Sequence, residues 1–232
     1  MAKEVHKCLI NYFSQLEKVD CKWNELSEEA KRPLHALRNQ SEQLRLVISS
    51  EVDDAELCKV DELRERLIFK ILMGIDNELT LLFNILTRFN NINQVNKIFI
   101  STFISYLFVI HITLINFSSL IDYKESKDLK NRLNNLEDAR SKVSLDEETM
   151  KELINGTPYR PRLNLLLEWA IEAFNYYNEL YLLINGNMKQ FNYKDEDTIE
   201  NLTKSFVEDR FKRAQIERIL YFTQFLIKES LR

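Results

Sequence analysis

Residues 160–187 read RPRLNLLLEWAIEAFNYYNELYLLINGN. Pro161 is a helix-start signal, because proline at the first helical position gives up no bond the helix needs. Asn185-Gly186 is a stop signal, because glycine takes the left-handed cap without a Cβ clash. Between them the spacing predicts an apolar helix of about six turns. It carries Trp169 and the tyrosines Tyr176, Tyr177 and Tyr181. Such a helix cannot stand alone in water, so other helices must cover it.

Composition points the same way. Apolar residues make up 45% of the 232, so the chain is long enough and apolar enough for a real core. Glycine and proline number three each, too few for the turns of a sandwich or barrel. The expected class is all-α: an elongated multi-helix bundle of about six to eight helices with no sheet. The net charge of −4, from 32 basic and 36 acidic residues, is too balanced to call for nucleic acid or a membrane surface as a direct partner. Cys8, Cys21 and Cys58 are an odd set without CxxC spacing, which reads as free thiols in a reducing compartment. The charged N-terminus lacks the apolar core of a signal peptide.

Upstream, apolar residues from Val5 to Leu26 recur at steps of three and four, including Cys8, Tyr12, Leu16 and Trp23. Ser27-Glu28-Glu29 looks like the start of a second helix, with Pro33 in its first turn and Leu34, Leu37 and Leu44 on its stripe. A third helix begins near Ala55 or Asp61 and runs to at least Thr87. Gly74 inside it costs roughly 1 kcal/mol against alanine and marks a close helix crossing. Glu62-Arg66 is a favourable i,i+4 pair. The asparagines of residues 90–96 predict a break.

Ile98 to Ile121 is 24 residues without Lys, Arg, Asp or Glu. As a helix it would span ~36 Å, enough for a bilayer. It reads equally as a fully buried helix, or as an insertion foreign to the fold; a strand would have no partner. Residues 128–143 resume a polar helix, and Ser144 to Glu147 is a capping box opening a short helix that stops at Asn155-Gly156. Beyond the opening stretch, Asp195-Glu196-Asp197 caps a helix through Ile199 and Leu202. A last helix from about Asp209 buries Phe211, Ile216, Ile219 and Phe222. The whole is expected to be one helical domain over residues 1–232. An N-terminal part (3–89) and a C-terminal part (128–231) flank an insertion or irregular connection at 90–127.

No catalytic apparatus is visible, so the chain is expected not to be an enzyme. Three separate glycines exclude phosphate-cradling loops. His6, His35 and His111 have no HExxH context. Glu168, Glu172 and Glu179 lack the Glu-x-x-His pairs of di-iron bundles. No catalytic, cofactor-binding or metal-ligating residue is assigned, and no cofactor. Arg160, Arg162, Arg210, Lys212, Arg213 and Arg218 read as a solvated basic face, with acids interleaved. The partner-binding candidates are Trp169, Tyr176, Tyr177 and Tyr181, because tyrosine and tryptophan are enriched at interface hot spots. Tyr176 and Tyr177 are about 100° apart on a helix, so at least one of the tyrosines is expected to meet solvent or a partner.

The order of features resembles the AAA-ATPase-interacting ribosome maturation factors (AIRIM). The resemblance rests on four places: the opening helix with Cys8 and Trp23; Ser41-Glu-Gln-Leu44; Asp61-Glu-Leu-Arg-Glu-Arg-Leu67; and Leu166-Leu-Glu-Trp169 with the Tyr-rich turns, polar loop and apolar C-terminal helix after it. It covers residues 4–89 and 160–229 and implies a non-catalytic, coiled-coil-like adaptor of nucleus and cytoplasm. The implied partners are AAA ATPase subunits and a CINP-like helical protein, with pre-ribosomal particles met indirectly. The implied work is maturation of the large ribosomal subunit, by release and recycling of assembly factors, with a link to chromatin and replisome turnover. Ile98–Ile121 has no recognised counterpart in that family, which suggests a lineage-specific insertion or translated intron. The alternative is a membrane-tethered helical scaffold using that run as its anchor.

Overall fold

A computed structural model describes residues 2–49, 62–114, 155–156 and 161–229. Among them there are five helices and no strand: α1 (Ala2–Ile48), α2 (Leu63–Leu114), α3 (Leu163–Gln190), α4 (Glu196–Ser205) and α5 (Arg210–Glu229). The all-α expectation holds for these residues. The described helices are longer than expected because two anticipated breaks are absent. The predicted helix over 128–143 and the capping box at Ser144–Glu147 lie outside the described residues. Gly156, after helical Asn155, has φ 74, the left-handed conformation expected of that stop.

α1 is one helix of 47 residues. Its buried positions Tyr12, Leu16, Val19, Trp23, Leu26, Ala30, Leu37, Ser41 and Leu44 stay in phase through Ser27, so no new helix starts there. The acids read as a first turn serve side-chain pairs instead, Glu28 with Lys31 and Glu29 with Arg88. Pro33 lies inside the helix without ending it. A proline here loses one backbone bond, at about 3 kcal/mol, and burial of Ala30, Leu34 and Leu37 around it offsets that loss.

α2 runs for 52 residues, straight through the predicted break at Asn90–Asn96. Asn93 and Asn96 are buried, and Asn93 Nδ2 donates to Asn178 Oδ1 at 3.0 Å. Low helix propensity is a few tenths of a kcal/mol per asparagine, roughly, which packing overrides. The charge-free run continues this helix as far as Leu114; residues 115–121 lie outside the description. Among the described residues no helix is long and apolar enough to cross a membrane.

α3 begins two residues after Pro161 and does not stop at Asn185-Gly186. Ile184 and Met188 are buried one turn apart, and that contact carries the helix past Gly186 to Gln190. α4 is capped as expected: Asp195 Oδ1 accepts from Asp197 N at 3.0 Å. Asp209 Oδ1 does the same for α5, accepting from Phe211 N at 2.8 Å. The predicted burial of Phe211 and Phe222 is wrong: Phe211 is 88% exposed and Phe222 exposed as well. Ile216, Ile219 and Thr223 form the inward face.

Two compact units emerge, and they do not follow chain order. The first comprises the described residues of Met1–Glu17, Asn96–Phe174 and Glu217–Arg232. Its core includes Phe13, Leu16, Leu166, Trp169, Ala173 and Ile219, and Tyr12 Oη donates to the Ala170 carbonyl at 2.8 Å. The second comprises the described residues of Lys18–Val95 and Asn175–Ile216. There Trp23 packs on Phe89 and Tyr177, at ring centroid distances of 4.2 and 5.4 Å. Gly74 marks the expected close crossing: a Cβ built there would sit 2.6 Å from the Gln40 amide nitrogen of α1.

Candidate interaction site

The four aromatic candidates do not form one surface. Trp169 belongs to the first unit, where it is buried and stacks on Phe222 with centroids 5.8 Å apart. Tyr176 and Tyr177 belong to the second unit and are both buried. Tyr176 and Tyr177 are both covered although about 100° apart, because helices pack on both flanks, so the expectation that at least one tyrosine meets solvent holds only through Tyr181. Tyr181 is half-buried, and it alone of the four keeps substantial exposure.

Tyr177 and Tyr176 belong to a buried polar cluster centred on Asp20 of α1. The Tyr177 hydroxyl donates to Asp20 Oδ1 at 2.6 Å. Arg213 of α5 donates to the same carboxylate, from Nη1 to Oδ1 and from Nη2 to Oδ2 at 3.2 Å. Asn24, one turn along α1, donates to Oδ2 at 3.3 Å. The Arg213 Nε lies 3.6 Å from Glu208 Oε2. The Tyr176 hydroxyl is buried without a well-formed hydrogen bond, with the Glu208 charge close to it.

Electrostatics keeps the two phenols and the guanidinium of this cluster in one protonation state. Burial pushes the Tyr177 phenol well above its usual 10, and the charge and hydrogen bond of Asp20 push the same way. Burial raises the Tyr176 phenol too, with Glu208 adding to it. For Arg213, burial opposes the charge, but hydrogen bonds to Asp20 and its attraction prevail and hold the guanidinium above its usual range. The result is two neutral phenols around a closed ion pair. Such a group ties α1, α3 and α5 together.

Arg213 is thus not part of a solvated basic face, as the sequence suggests. The other basic residues are solvated as read: Arg162, Arg210 and Arg218 are exposed, and Lys212 pairs with Glu179 at 2.8 Å in solvent. Arg160 lies outside the described residues. The missed signal was Asp20, a lone carboxylate between Val19 and Trp23 on an otherwise apolar stripe. A charge at a core position calls for a buried partner.

Two surfaces of the second unit remain open. One is a groove of about 630 Å³ between α1 and the α4–α5 turn, lined among others by Leu34, Arg38, Phe206, Val207 and Glu208. The other is the outward face of α2, which exposes Phe69, Met73, Leu81, Phe83 and Val95.

Residues 3–106 match the family CA109-like, ribosome biogenesis protein C1orf109-like. The match supports a role in ribosome biogenesis. It spans nearly all of α1 and most of α2, with Asp20, Trp23 and Phe89 inside it. It also includes Ile98–Tyr106, so the charge-free run begins within the family's extent rather than outside it. Leu166 to Trp169, a marker in the sequence resemblance, falls beyond the matched residues. No curated protein matches the chain.

Proposed function

We propose that this chain is a non-catalytic helical adaptor in ribosome biogenesis, a subunit of an AAA ATPase complex that also holds a CINP-like helical protein. The observation that carries the ribosome-biogenesis part of the reading is the family match over residues 3–106; the ATPases and the helical partner are what the sequence resemblance implies. The all-helical architecture of the described residues is consistent with it. In this reading the ATPases do the mechanical work on large-subunit precursors, and the adaptor recruits the assembly factors to be released. Its place of action is nucleus and cytoplasm, with chromatin and replisome turnover as a second field. Of the four aromatic candidates, Tyr181 is the one whose exposure suits a partner contact.

Affinity purification of the tagged full chain with mass spectrometry tests this. The expected result is co-purification of AAA ATPase subunits and a small helical partner. Recovery of pre-ribosomal proteins without any ATPase would sink the adaptor role while leaving the broader one. The membrane-tethered alternative draws no support from α2, whose described part is not apolar enough to span a bilayer.

A further inference from the structure

The outward face of α2 in the second unit differs from the rest of that unit's long-helix surface. From Met73 to Val95 twelve residues are exposed, and only Asp76 and Arg88 are charged. On α1, from Lys18 to Ile48, nine of sixteen exposed residues are charged. Solvated helix faces are normally of the second kind. Met73, Leu81, Phe83 and Val95 are each roughly half exposed on the α2 face.

The spacing is as informative as the composition. Exposed Met73, Asn77, Thr80, Asn84, Thr87, Asn91 and Gln94 alternate steps of four and three. That is the spacing of a helix–helix seam. Six of these seven side chains are amides or hydroxyls; the four amides both donate and accept hydrogen bonds, and the Thr80 and Thr87 hydroxyls, which donate to the Asp76 and Phe83 carbonyls, can accept. A surface of that kind is complementary to itself. Charge chooses the direction. With parallel copies, Asp76 would lie level with Asp76 and Arg88 with Arg88. With antiparallel copies about a two-fold axis near Asn84, the two Asp76 move about 24 Å apart along the axis and the two Arg88 about 12 Å, and Asp76 of one copy comes within about one turn of Arg88 of the other. Arg88 uses Nη1 for Glu29 at 2.7 Å, which leaves its other nitrogens as donors.

We propose that α2 is a self-association surface, pairing antiparallel with α2 of a second copy of this chain through Met73–Gln94. The paired stretch is about 33 Å long, and one helix face of that length buries less than the roughly 800 Å² per partner of a standard stable interface. The dimer is therefore weak and reversible, with a Kd in roughly the micromolar range. The pairing does not depend on the ribosome-assembly role.

Sedimentation equilibrium of the purified full chain, from low micromolar to several hundred micromolar, is the first test. A monomer–dimer equilibrium is expected, and the double variant Leu81→Glu/Phe83→Glu should weaken it at least tenfold with helical circular dichroism unchanged. Disulfide trapping then fixes direction, in a chain whose Cys8, Cys21 and Cys58 are serine. Asn84→Cys should cross-link to itself. Asn77→Cys and Asn91→Cys should cross-link to each other but not to themselves. A chain that stays monomeric throughout, a dimer indifferent to the glutamates, or self-cross-linking at all three positions overturns the proposal.

Discussion

Arg213 donates to both carboxylate oxygens of Asp20, a residue 193 positions earlier in the chain. Their side chains are 19% and 12% exposed, so the pair is largely out of water. Removing one partner strands the other. Asp20→Ala or Arg213→Met should each cost about 3–5 kcal/mol in chemical denaturation of the full chain. Asp20→Leu combined with Arg213→Met should cost clearly less than the two single changes added together, because neither member of the pair is left without the other, although Glu208 still loses its Arg213 neighbour.

The two phenols of the cluster should separate in mutagenesis. Tyr177→Phe removes a donor from Asp20 and should cost about 1–3 kcal/mol. Tyr176→Phe removes a hydroxyl without a well-formed bond and should change stability by less than about 0.5 kcal/mol. Equal losses for both would contradict the bonding described for Asp20.

Alkaline pH should probe the same groups. The phenols of Tyr12, Tyr176 and Tyr177 are raised above their usual 10 in the folded chain. A raised folded value means the stabilisation is fully present below pH 10. Above it the unfolded chain releases these protons first, so stability falls as pH rises towards the folded values. Three such groups give a slope of up to about 4 kcal/mol per pH unit. Denaturation midpoints between pH 9 and 11.5, followed with phenolate absorbance, should show the decline, and Tyr176→Phe should make it shallower.

Two helical glycines should respond differently to enlargement. Gly186 has nothing within 4 Å of an added Cβ, so Gly186→Ala should stabilise by roughly 0.5–1 kcal/mol. At Gly74 an added methyl meets only the end of the Gln40 side chain, whose Oε1 has no hydrogen bond to lose. Gly74→Ala should be near neutral, whereas Gly74→Leu should cost about 1–3 kcal/mol by forcing the crossing apart. Thermal melts of the three variants decide this.

The aromatic residues of α3 should sort by burial. Tyr181→Ala should leave the melting temperature within a few degrees of the parent and weaken partner recovery. Trp169→Ala and Tyr177→Ala should cost about 3–5 kcal/mol, so any lost binding there would accompany lost structure. Undiminished recovery by a well-folded Tyr181→Ala would remove this residue from the partner surface.

The sequence made helix type and core residues legible because the three-to-four spacing of Tyr12, Leu16, Trp23 and Leu26 survives any tertiary context. Caps such as Asp195 and Asp209 were legible because they act within two or three residues. Breaks were less so. Ser27, Asn90–Asn96 and Gly186 carry local signals worth a few tenths to one kcal/mol, roughly, and burial of Ala30, Asn93 and Met188 outweighs them. The Asp20 cluster was hidden for another reason. Periodicity places a side chain on a face but does not name the partner, and Arg213 looks like its solvated neighbours Lys212 and Arg210 until α5 is set against α1.

The long reach of that ion pair bears on synthesis. At about 5–20 residues per second, Asp20 leaves the ribosome roughly 10–40 seconds before Arg213 does. Until then a carboxylate stands in the middle of an apolar stripe without its counter-ion, and the helix that carries it is ill suited to closing its core. Arg213 arrives only after 193 further residues have been added. The pair therefore withholds full stability from any product that ends before α5.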